Sequence, residues 1–264
     1  MTRIVESRRG FLVSSGIGMT GLALAGCDRL GQSASVRSGL AGAERLTLAS
    51  QRLLLRGQPL AREYAASDIS TNFPSNGTSN PTNPEYQAHL AAGFRDWRLQ
   101  MDGLVAMPTS YSLAELRRLP SRTQITRQDC VEGWSAIARW TGVPLGLLLQ
   151  AASPAVTARY VIFHCADSLN GASEKGDDEH AGRYYESIDL TDAFHAQTIL
   201  AYAMNDRPLP VGNGAPLRLR VERQLGYKSA KYLMRVEVTD RLDRVGDGKG
   251  GYWEDRGYEW YAGI

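Results

Sequence analysis

Residues 126–135 read Thr-Arg-Gln-Asp-Cys-Val-Glu-Gly-Trp-Ser, and Cys130 within this stretch is the most informative residue of the chain. It is one of only three cysteines. A thiolate is a good ligand for redox-active metals, and one protein thiolate is enough when a cofactor supplies further sulfur ligands. A lone cysteine is more commonly a small buried apolar residue. The metal interpretation of Cys130 therefore depends on support from other segments.

Two distant segments have the composition of anion-binding elements. Residues 213–218 read Asn-Gly-Ala-Pro-Leu-Arg, and residues 226–231 read Gly-Tyr-Lys-Ser-Ala-Lys. Arg218 offers two parallel N–H donors to an oxyanion, and Lys231 offers a compact positive charge. The alternatives are a solvated strand face for the two cations and an ordinary turn for the Asn-Gly pair. Taken with Cys130, the two segments favour a site that holds an anionic redox cofactor.

Composition sets the class of protein. The chain has 264 residues, enough for one large domain or two small ones, with 43% hydrophobic and 22% charged residues. The formal net charge is +2, and without residues 1–26 the chain has 27 basic and 27 acidic residues, because that segment holds three arginines and one glutamate. Such a balance argues against nucleic acid as a partner.

The N-terminus predicts export. Residues 7–12, Ser-Arg-Arg-Gly-Phe-Leu, resemble a twin-arginine signal, and the apolar run from Phe11 to Ala25 is too short for an ordinary membrane span. Leu24-Ala25-Gly26-Cys27 resembles a lipobox, in which Cys27 becomes lipidated; the alternative is a plain cleavage site near Gly26. We therefore predict a signal peptide over 1–26, a tether and lead-in over 27–66, a domain over 67–264, and a periplasmic protein anchored through Cys27.

The patterning predicts an α+β fold with mixed β-sheets and short helices. Strands and short helices alternate without a regular βαβ rhythm, and no GxGxxG or Walker pattern is present, which argues against nicotinamide and nucleotide cofactors. The predicted segments are a flexible tether (28–50), an irregular segment (67–86), strands (97–105, 160–165, 232–238), a half-buried strand (217–222), and helices (from the Ser112–Glu115 capping box to Pro120, 144–150, 191–203).

These motifs, in this order and spacing, resemble the sulfite oxidase superfamily of molybdopterin enzymes, most closely the catalytic subunits of periplasmic protein-methionine-sulfoxide reductases. The resemblance covers roughly residues 67–240 and rests on 129–135, on Trp-Thr-Gly-Val-Pro-Leu at 140–145, and on 213–218 and 226–231. It implies a sulfite-oxidase-type molybdopterin-binding domain with one molybdenum per chain. Only 24 residues follow Asp240, so we expect neither the C-terminal β-sandwich dimerisation domain of sulfite oxidases nor a dimer.

The resemblance also implies roles for individual residues. Cys130 is the expected protein ligand to molybdenum and the catalytic residue. At a position where the family usually has Thr or Ser stands Cys165, for which a buried strand cysteine is an equally good interpretation. None of the four histidines is assigned to catalysis, and the spacing of His164 and Cys165 does not suit zinc. The expected cofactor contacts are Asn72, Cys165, Asn213, Arg218, Lys228, Ser229, Ala230 and Lys231.

The expected activity is oxygen-atom transfer that reduces a small or protein-bound S-oxide with electrons from a membrane cytochrome b. Sulfite oxidases have an arginine-rich run after the ligand cysteine, whereas Val-Glu-Gly-Trp follows Cys130 here, which weakens sulfite as a substrate. Oxidation of a small reduced compound and a cofactor-free binding module on the same fold are the alternatives. The aromatic-rich tail at 250–261 predicts a clasp over the core or, alternatively, the mouth of the metal pocket.

Overall fold

A computed structural model describes residues 33–54, 59–169 and 182–264. The predicted twin-arginine signal, Cys27 and His180 lie outside these ranges. One compact unit spans Gly57–Ile264, and the helix α1, Ala34–Leu54, belongs to a separate unit. No helix in the described ranges is both long enough and apolar enough to cross a membrane.

The helix α1 corrects one expectation. Small and polar residues dominate residues 28–50, and the sequence therefore predicts a flexible tether there. The structure instead has a helix of 21 residues from Ala34 to Leu54. Alanine, leucine and arginine recur through this segment, and it contains no proline. Alanine, leucine and arginine have high helix propensities, so a segment rich in them forms a helix even though the alanine side chains are small.

Two five-stranded sheets form the fold, and together they confirm the mixed-sheet prediction. The first sheet has the order β2-β1-β10-β5-β6, in which β1 and β10 pair in parallel and the other neighbours are antiparallel. The second sheet has the order β3-β4-β7-β8, and β9 also pairs with β7. The strands are β1 (Arg98–Gly103), β2 (Thr109–Ser112), β3 (Arg122–Asp129), β4 (Ser135–Pro144), β5 (Tyr160–Ser168), β6 (Arg183–Asp189), β7 (Ile199–Met204), β8 (Arg207–Pro208), β9 (Arg218–Arg220) and β10 (Leu233–Thr239).

Short helices connect the strands, and their ends follow local capping rules. In α3, Leu113–Arg118, the Ser112 hydroxyl accepts a hydrogen bond from the Glu115 amide while the Glu115 carboxylate accepts one from the Ser112 amide, as the sequence predicted. Asn83 caps the helix α2, Pro84–Ala91, because its side-chain oxygen accepts a hydrogen bond from the Tyr86 amide. The remaining helix bounds are Leu145–Ala152 for α4 and Leu190–Ala193 for α5.

The predicted helix over 191–203 is wrong. The structure has only the single turn of α5, Leu190–Ala193, and the apolar run Ile199–Met204 is instead the buried strand β7. A short apolar run fits a buried helix and a buried strand equally well by periodicity. Pairing with β4 on one side and with β8 and β9 on the other decides for the strand.

The predicted half-buried strand at 217–222 is buried on both faces. Arg218, Arg220 and Glu222 are 3%, 1% and 6% exposed, so their side chains do not form a solvated face. Arg220 is paired with Glu222 through two hydrogen bonds, and the guanidinium groups of both arginines lie over the ring of Trp140. Buried charge is tolerated only when it is paired or bonded, so this strand is organised by its polar side chains.

The C-terminal tail packs over the core as a clasp, as one of the two predictions had it. Tyr252 stacks on Tyr184, and Trp260 contacts Tyr160 edge to face. Glu254 is 1% exposed and joins Glu186 in binding the ammonium group of Lys228, each at 2.5 Å. The tail is therefore fastened to the first sheet by aromatic packing and by a buried ion triad.

The buried triad generates a stability prediction. Lys228→Met would leave the carboxylates of Glu186 and Glu254 buried without their cation, which costs about 3–5 kcal/mol. Burial already raises the pKa of Glu186 well above its usual range. A carboxyl group that is protonated needs no cation, so the loss should be smaller at pH 5 than at pH 8. Urea unfolding of the cofactor-free protein measures both values.

The matched control is Arg139→Ala, which removes the partly exposed pair with Asp206. Such pairs contribute less than about 1 kcal/mol. If Lys228→Met lost no more stability than this control, the triad would not hold the tail in the way described.

Candidate active site

Cys130 lies at the tip of the hairpin that joins β3 to β4. The Cys130 amide donates to the Trp134 carbonyl oxygen at 2.9 Å, and the Gly133 amide donates to the Cys130 carbonyl oxygen at 3.0 Å. Gly133 has φ +88°, a left-handed conformation that glycine adopts without strain. This tight connection fixes the position of the thiol relative to both strands.

The thiol itself is buried, and a side-chain amide and nearby backbone groups surround it. Cys130 is 7% exposed, and its Sγ accepts a hydrogen bond from Asn76 Nδ2 at 3.3 Å. Burial raises the pKa of the Cys130 thiol, and the nearby Glu132 adds to the increase. A cation bound at Sγ would reverse this preference by stabilising the thiolate. The amide of Asn76 would then donate to the bound sulfur and tune its electron donation.

A cavity adjoins this hairpin. Six separate parts of the chain line it: the loop before α2, the Cys130 hairpin, the end of β5, the beginning of β6, the segment from 212 to 231, and the tail. The lining residues are Pro74, Asn76, Gly77, Thr78, Gln128, Val131, Glu132, Asp167, Leu169, Tyr184, Gly212, Asn213, Arg218, Gly226, Tyr227, Ser229, Ala230, Lys231, Trp253 and Tyr258.

Arg218 lines this cavity and is held by backbone carbonyl oxygens. Its Nη1 donates to the Asn213 carbonyl oxygen at 3.0 Å, and its Nη2 donates to the Ser229 carbonyl oxygen at 3.0 Å. Its buried Nε has no hydrogen-bond partner within the described ranges. Burial and, second to it, the charge of the neighbouring Arg220 lower the pKa of Arg218 to about 9. An anion at this position would satisfy the donor and relieve the repulsion between the cations.

Lys231 joins the loop before α2 to the opposite wall. Its ammonium group donates to the carbonyl oxygens of Asn76, Thr78 and Gly212, at 2.5, 2.6 and 3.1 Å. Burial lowers the pKa of Lys231 to about 8, and the charge of Arg218 contributes to this decrease. Lys231 therefore brings a positive charge to the cavity wall and holds Asn76 in place beside Cys130.

The structure brings most of the predicted site residues together. Asn213, Arg218, Ser229, Ala230 and Lys231 all line the cavity beside the Cys130 hairpin. Gly214, with φ +111°, allows this crowding, because a Cβ there would come within 3.0 Å of Lys231 and 3.1 Å of Arg218. The two segments that looked like anion-binding elements are thus neighbours in space.

Three predicted contacts fall elsewhere in the described structure. The ammonium group of Lys228 points into the buried ion triad. Cys165 is 2% exposed on β5 and lines a different cavity. Asn72 is exposed and is not among the described lining residues of the site. In that irregular segment the residue beside the thiol is Asn76, four positions later, because the chain turns at Gly77, where φ is +64°.

Sequence reasoning missed two polar residues of the site. Asn76 lies within the irregular segment 67–86 and was not among the expected cofactor contacts, although Asn-Gly is a turn signal that can place a side chain against another loop. Asp167 is 3% exposed, its Oδ1 has no partner in the described part of the chain, and burial raises its pKa to about 6. No signal in the sequence marked Asp167, because a carboxylate after a buried strand commonly faces solvent.

Cavity size alone would have selected another place. A larger cavity of about 900 Å³ lies on the first sheet, where Cys165 is one of its lining residues. Several of its polar groups are bonded to one another or to neighbouring residues: Arg235 pairs with Asp102, and the Tyr185 hydroxyl donates to Asp255. The cavity beside Cys130 differs because buried donors and acceptors there still lack partners. Unsatisfied buried groups are the better indication of a binding site.

Comparison with known proteins agrees with this location. Residues 86–244, more than half of the chain, match the family model described as "Oxidoreductase molybdopterin binding domain". The chain belongs to this family. Accordingly, it is a molybdopterin-dependent oxidoreductase with the sulfite-oxidase type of fold.

Individual relatives support the same assignment. The chain is 37% identical to the Azospira oryzae protein named "Putative protein-methionine-sulfoxide reductase subunit YedZ1" over 259 residues, 98% of this chain and 88% of the relative. It is 33% identical over 174 residues to the protein-methionine-sulfoxide reductase catalytic subunit MsrP of Ralstonia nicotianae, 64% of this chain and 51% of that protein. The chain thus spans about half the length of that catalytic subunit.

A solved structure overlaps less completely. The sulfane dehydrogenase SoxCD from Paracoccus pantotrophus superposes with a TM-score of 0.49 and 21% identity over 60% of this chain and 45% of that chain. At this level the overlap gives no independent evidence about function.

The cavity residues fit molybdopterin. The cofactor ends in a phosphate, and the unpartnered Nε of Arg218 with the nearby charge of Lys231 is a suitable anion site. Asn213 adds a side chain with both donor and acceptor atoms for the pterin ring. When bound, the cofactor supplies a metal centre that exchanges an oxygen atom and two electrons with a substrate.

The first prediction from this site concerns cofactor retention. Arg218→Ala removes one charge-assisted contact, worth about 1.5–3 kcal/mol. Cofactor affinity should fall about tenfold to hundredfold. Molybdenum and pterin content per chain after purification measures the loss. The control is Arg127→Ala, which removes a partly exposed arginine of strand β3, close to Cys130 in the sequence. Full occupancy in Arg218→Ala would show that the phosphate lies elsewhere.

A second prediction concerns pH. The pKa of Lys231 is lowered to about 8 and that of Arg218 to about 9, so an anion beside them binds best where both are protonated. The stabilisation of the cofactor-free protein by sulfate, a dianion across this range, should be larger at pH 7 than at pH 10. Without sulfate, stability should rise with pH above about 8, because the unfolded chain then holds more protons.

Thermal unfolding at the two pH values measures both effects. In the Lys231→Met variant, the part of the pH-dependent difference in stability that comes from deprotonation of Lys231, whose pKa is about 8, should be absent. A sulfate effect independent of pH would contradict an anion site at these two residues.

Proposed function

We propose that this protein reduces an S-oxide, such as methionine sulfoxide in a protein, at a molybdenum centre bound by Cys130. The observation that carries the proposal is the buried Cys130 thiol, hydrogen-bonded to Asn76, beside a cavity whose lining includes Asn76 and cations suited to an anionic cofactor. The names of the relatives supply the substrate class. Reduction of one S-oxide consumes two electrons and two protons and releases one water molecule and a sulfide.

The residues of this chain have distinct tasks in that reaction. The thiolate of Cys130 binds the metal, and Asn76 donates a hydrogen bond to its sulfur. Arg218 and Lys231 hold the phosphate end of the cofactor. Asn213, Ser229 and Ala230 line the cavity between these anchors and position the pterin. Lys228, Cys165 and Asn72 were also expected to contact the cofactor. Because they are not among the described lining residues of the cavity, we propose that they support the cofactor only through other residues.

Two carboxyl groups of the cavity lining are suited to deliver the protons that S-oxide reduction consumes. Glu132 and Asp167 both line the cavity, and Glu132 accepts a hydrogen bond from Trp134 Nε1 at 3.0 Å. A carboxyl group with a pKa near neutrality exchanges protons efficiently at physiological pH, and burial raises the pKa of Asp167 to about 6. Glu132 also disfavours sulfite, because a carboxylate beside the ligand cysteine repels a dianion.

The cellular setting follows from the N-terminus. We infer export by the twin-arginine route, a periplasmic location and a lipid anchor at Cys27. Electrons come from outside the chain, since its sequence has no C-x-x-C-H haem-attachment motif. A membrane cytochrome b subunit is the electron donor of this proposal, and the catalytic subunit is a monomer. An anchored domain lies close to such a donor, which favours fast transfer.

The proposal is tested at the ligand. Cys130→Ser should abolish S-oxide reduction by dye-reduced enzyme, because an alkoxide or alcohol oxygen donates differently to the metal. Pterin content should stay largely intact, because Arg218 and Lys231 do not depend on the thiol. Cys165→Ser is the comparison at the other buried cysteine. Activity retained in Cys130→Ser but lost in Cys165→Ser would show that the wrong cysteine was chosen.

Two measurements on the wild-type protein separate the alternatives. Molybdenum well below one atom per chain, after export from cells that make the cofactor, would favour a cofactor-free binding module. Assays in both directions with artificial dyes then decide the reaction: rapid sulfite oxidation without S-oxide reduction would overturn the proposed direction.

A further inference from the structure

An aromatic surface forms one side of the cavity. Trp253 and Tyr258 of the tail stack with ring centroids 5.2 Å apart and an interplanar angle of 25°, and both line the cavity. Tyr227 meets Tyr258 edge to face at 5.3 Å. Val131, at the tip of the Cys130 hairpin, lines the same cavity and is 45% exposed. We call Trp253, Tyr258, Tyr227 and Val131 the aromatic wall.

The two stacked rings are held by a compact turn of the tail. The Tyr258 amide donates to the Trp253 carbonyl oxygen at 3.0 Å, and the Gly257 amide donates to the Glu254 carbonyl oxygen at 3.1 Å. Glu254, next to Trp253, is tied to the buried Lys228. Tyr227 is fixed as well, because its hydroxyl donates to the Glu259 carbonyl oxygen at 2.6 Å. The wall is therefore pre-organised before any ligand arrives.

The wall adjoins the hairpin that carries the thiol. A Cβ on Gly226, next to Tyr227, would lie 3.1 Å from the Gln128 side chain and 3.2 Å from the Asp129 carbonyl oxygen. The 226–227 segment thus packs directly on the end of β3, one residue before Cys130. The lining also includes the cations and amides that suit the cofactor, among them Asn213, Arg218 and Lys231. The cavity consequently has a polar portion and an apolar portion.

We propose that the aromatic wall is the subsite for the apolar methyl and methylene groups of the S-oxide substrate, with Trp253 as its main contact. The inference rests on the proposed function and adds the residues that select among S-oxides. Sulfur and its methyl group contact aromatic rings favourably, and stacked rings offer them a face and an edge. Trp253 is partly exposed and Tyr258 is exposed, which leaves room for a polypeptide to carry the sulfur.

The test compares two substrates that differ in apolar size. Dye-reduced wild-type and Trp253→Ala enzymes are assayed with dimethyl sulfoxide and with a peptide containing methionine sulfoxide. The ratio of kcat/KM for the peptide to kcat/KM for dimethyl sulfoxide should fall about tenfold in the variant, equivalent to about 1.4 kcal/mol. Molybdenum content per chain confirms that the cofactor is still bound.

A tryptophan in the same tail serves as the matched control. Trp260 packs on Tyr160 and donates to the Ser187 hydroxyl, and it is not among the described lining residues of the cavity. Trp260→Phe should keep the wild-type ratio. Titration with the sulfide product, a peptide containing methionine, gives a readout without turnover: the change in tryptophan fluorescence should persist in Trp260→Phe and disappear in Trp253→Phe.

The outcomes separate this inference from the proposed function. If the wild-type enzyme reduces neither S-oxide, both fail. If it reduces both while Trp253→Ala keeps the wild-type substrate ratio, or if the fluorescence change survives in Trp253→Phe, only the aromatic wall is refuted.

Discussion

The site depends on burying cations whose charge is met largely by backbone carbonyl oxygens. Lys231 donates to three of them, and Arg218 donates to two while its Nε stays unpaired within the described chain. Desolvation lowers the pKa of both groups, so the empty arrangement is electrostatically incomplete. Such a site favours an anion at low dielectric, where each charge-assisted bond is strong. The loop with Asn76 and the strand β9 keep their places because these cations hold them there.

Within six residues, the 226–231 segment has two lysines with opposite surroundings. Lys228 is enclosed by the carboxylates of Glu186 and Glu254, and its pKa is raised after these charges outweigh the cost of burial. Lys231 faces carbonyl oxygens and another cation, and its pKa is lowered. One lysine therefore fastens the tail to the core, and the other contributes charge to the cavity. Both effects follow from which side of the segment each side chain leaves.

The elements that the sequence predicted correctly are those with local causes. The capping box at Ser112 and Glu115 fixes α3 through bonds within one turn, and the alternating and apolar runs gave β1, β5 and β10. The errors arose where local signals are ambiguous. The run Ile199–Met204 is a strand only because β4, β8 and β9 supply its partners. Arg218 and Arg220 looked like a solvated face, and only the packing of Trp140 beneath them shows that they are buried.

The sequence by itself indicated the chemistry of this protein through a cysteine motif at 129–135, the segments that carry Arg218 and Lys231, and the family that they resemble. Residue types and short spacings encode these features, because metal and phosphate recognition each need particular atoms. Only the tertiary structure decided which of several similar residues reach the cavity: Asn76 lines it and Asn72, the expected pterin contact, does not, while Lys228 lies in a buried triad. The physical reason is that side-chain direction in irregular segments is set by long-range packing and hydrogen bonding, which neighbouring residues in the sequence do not specify.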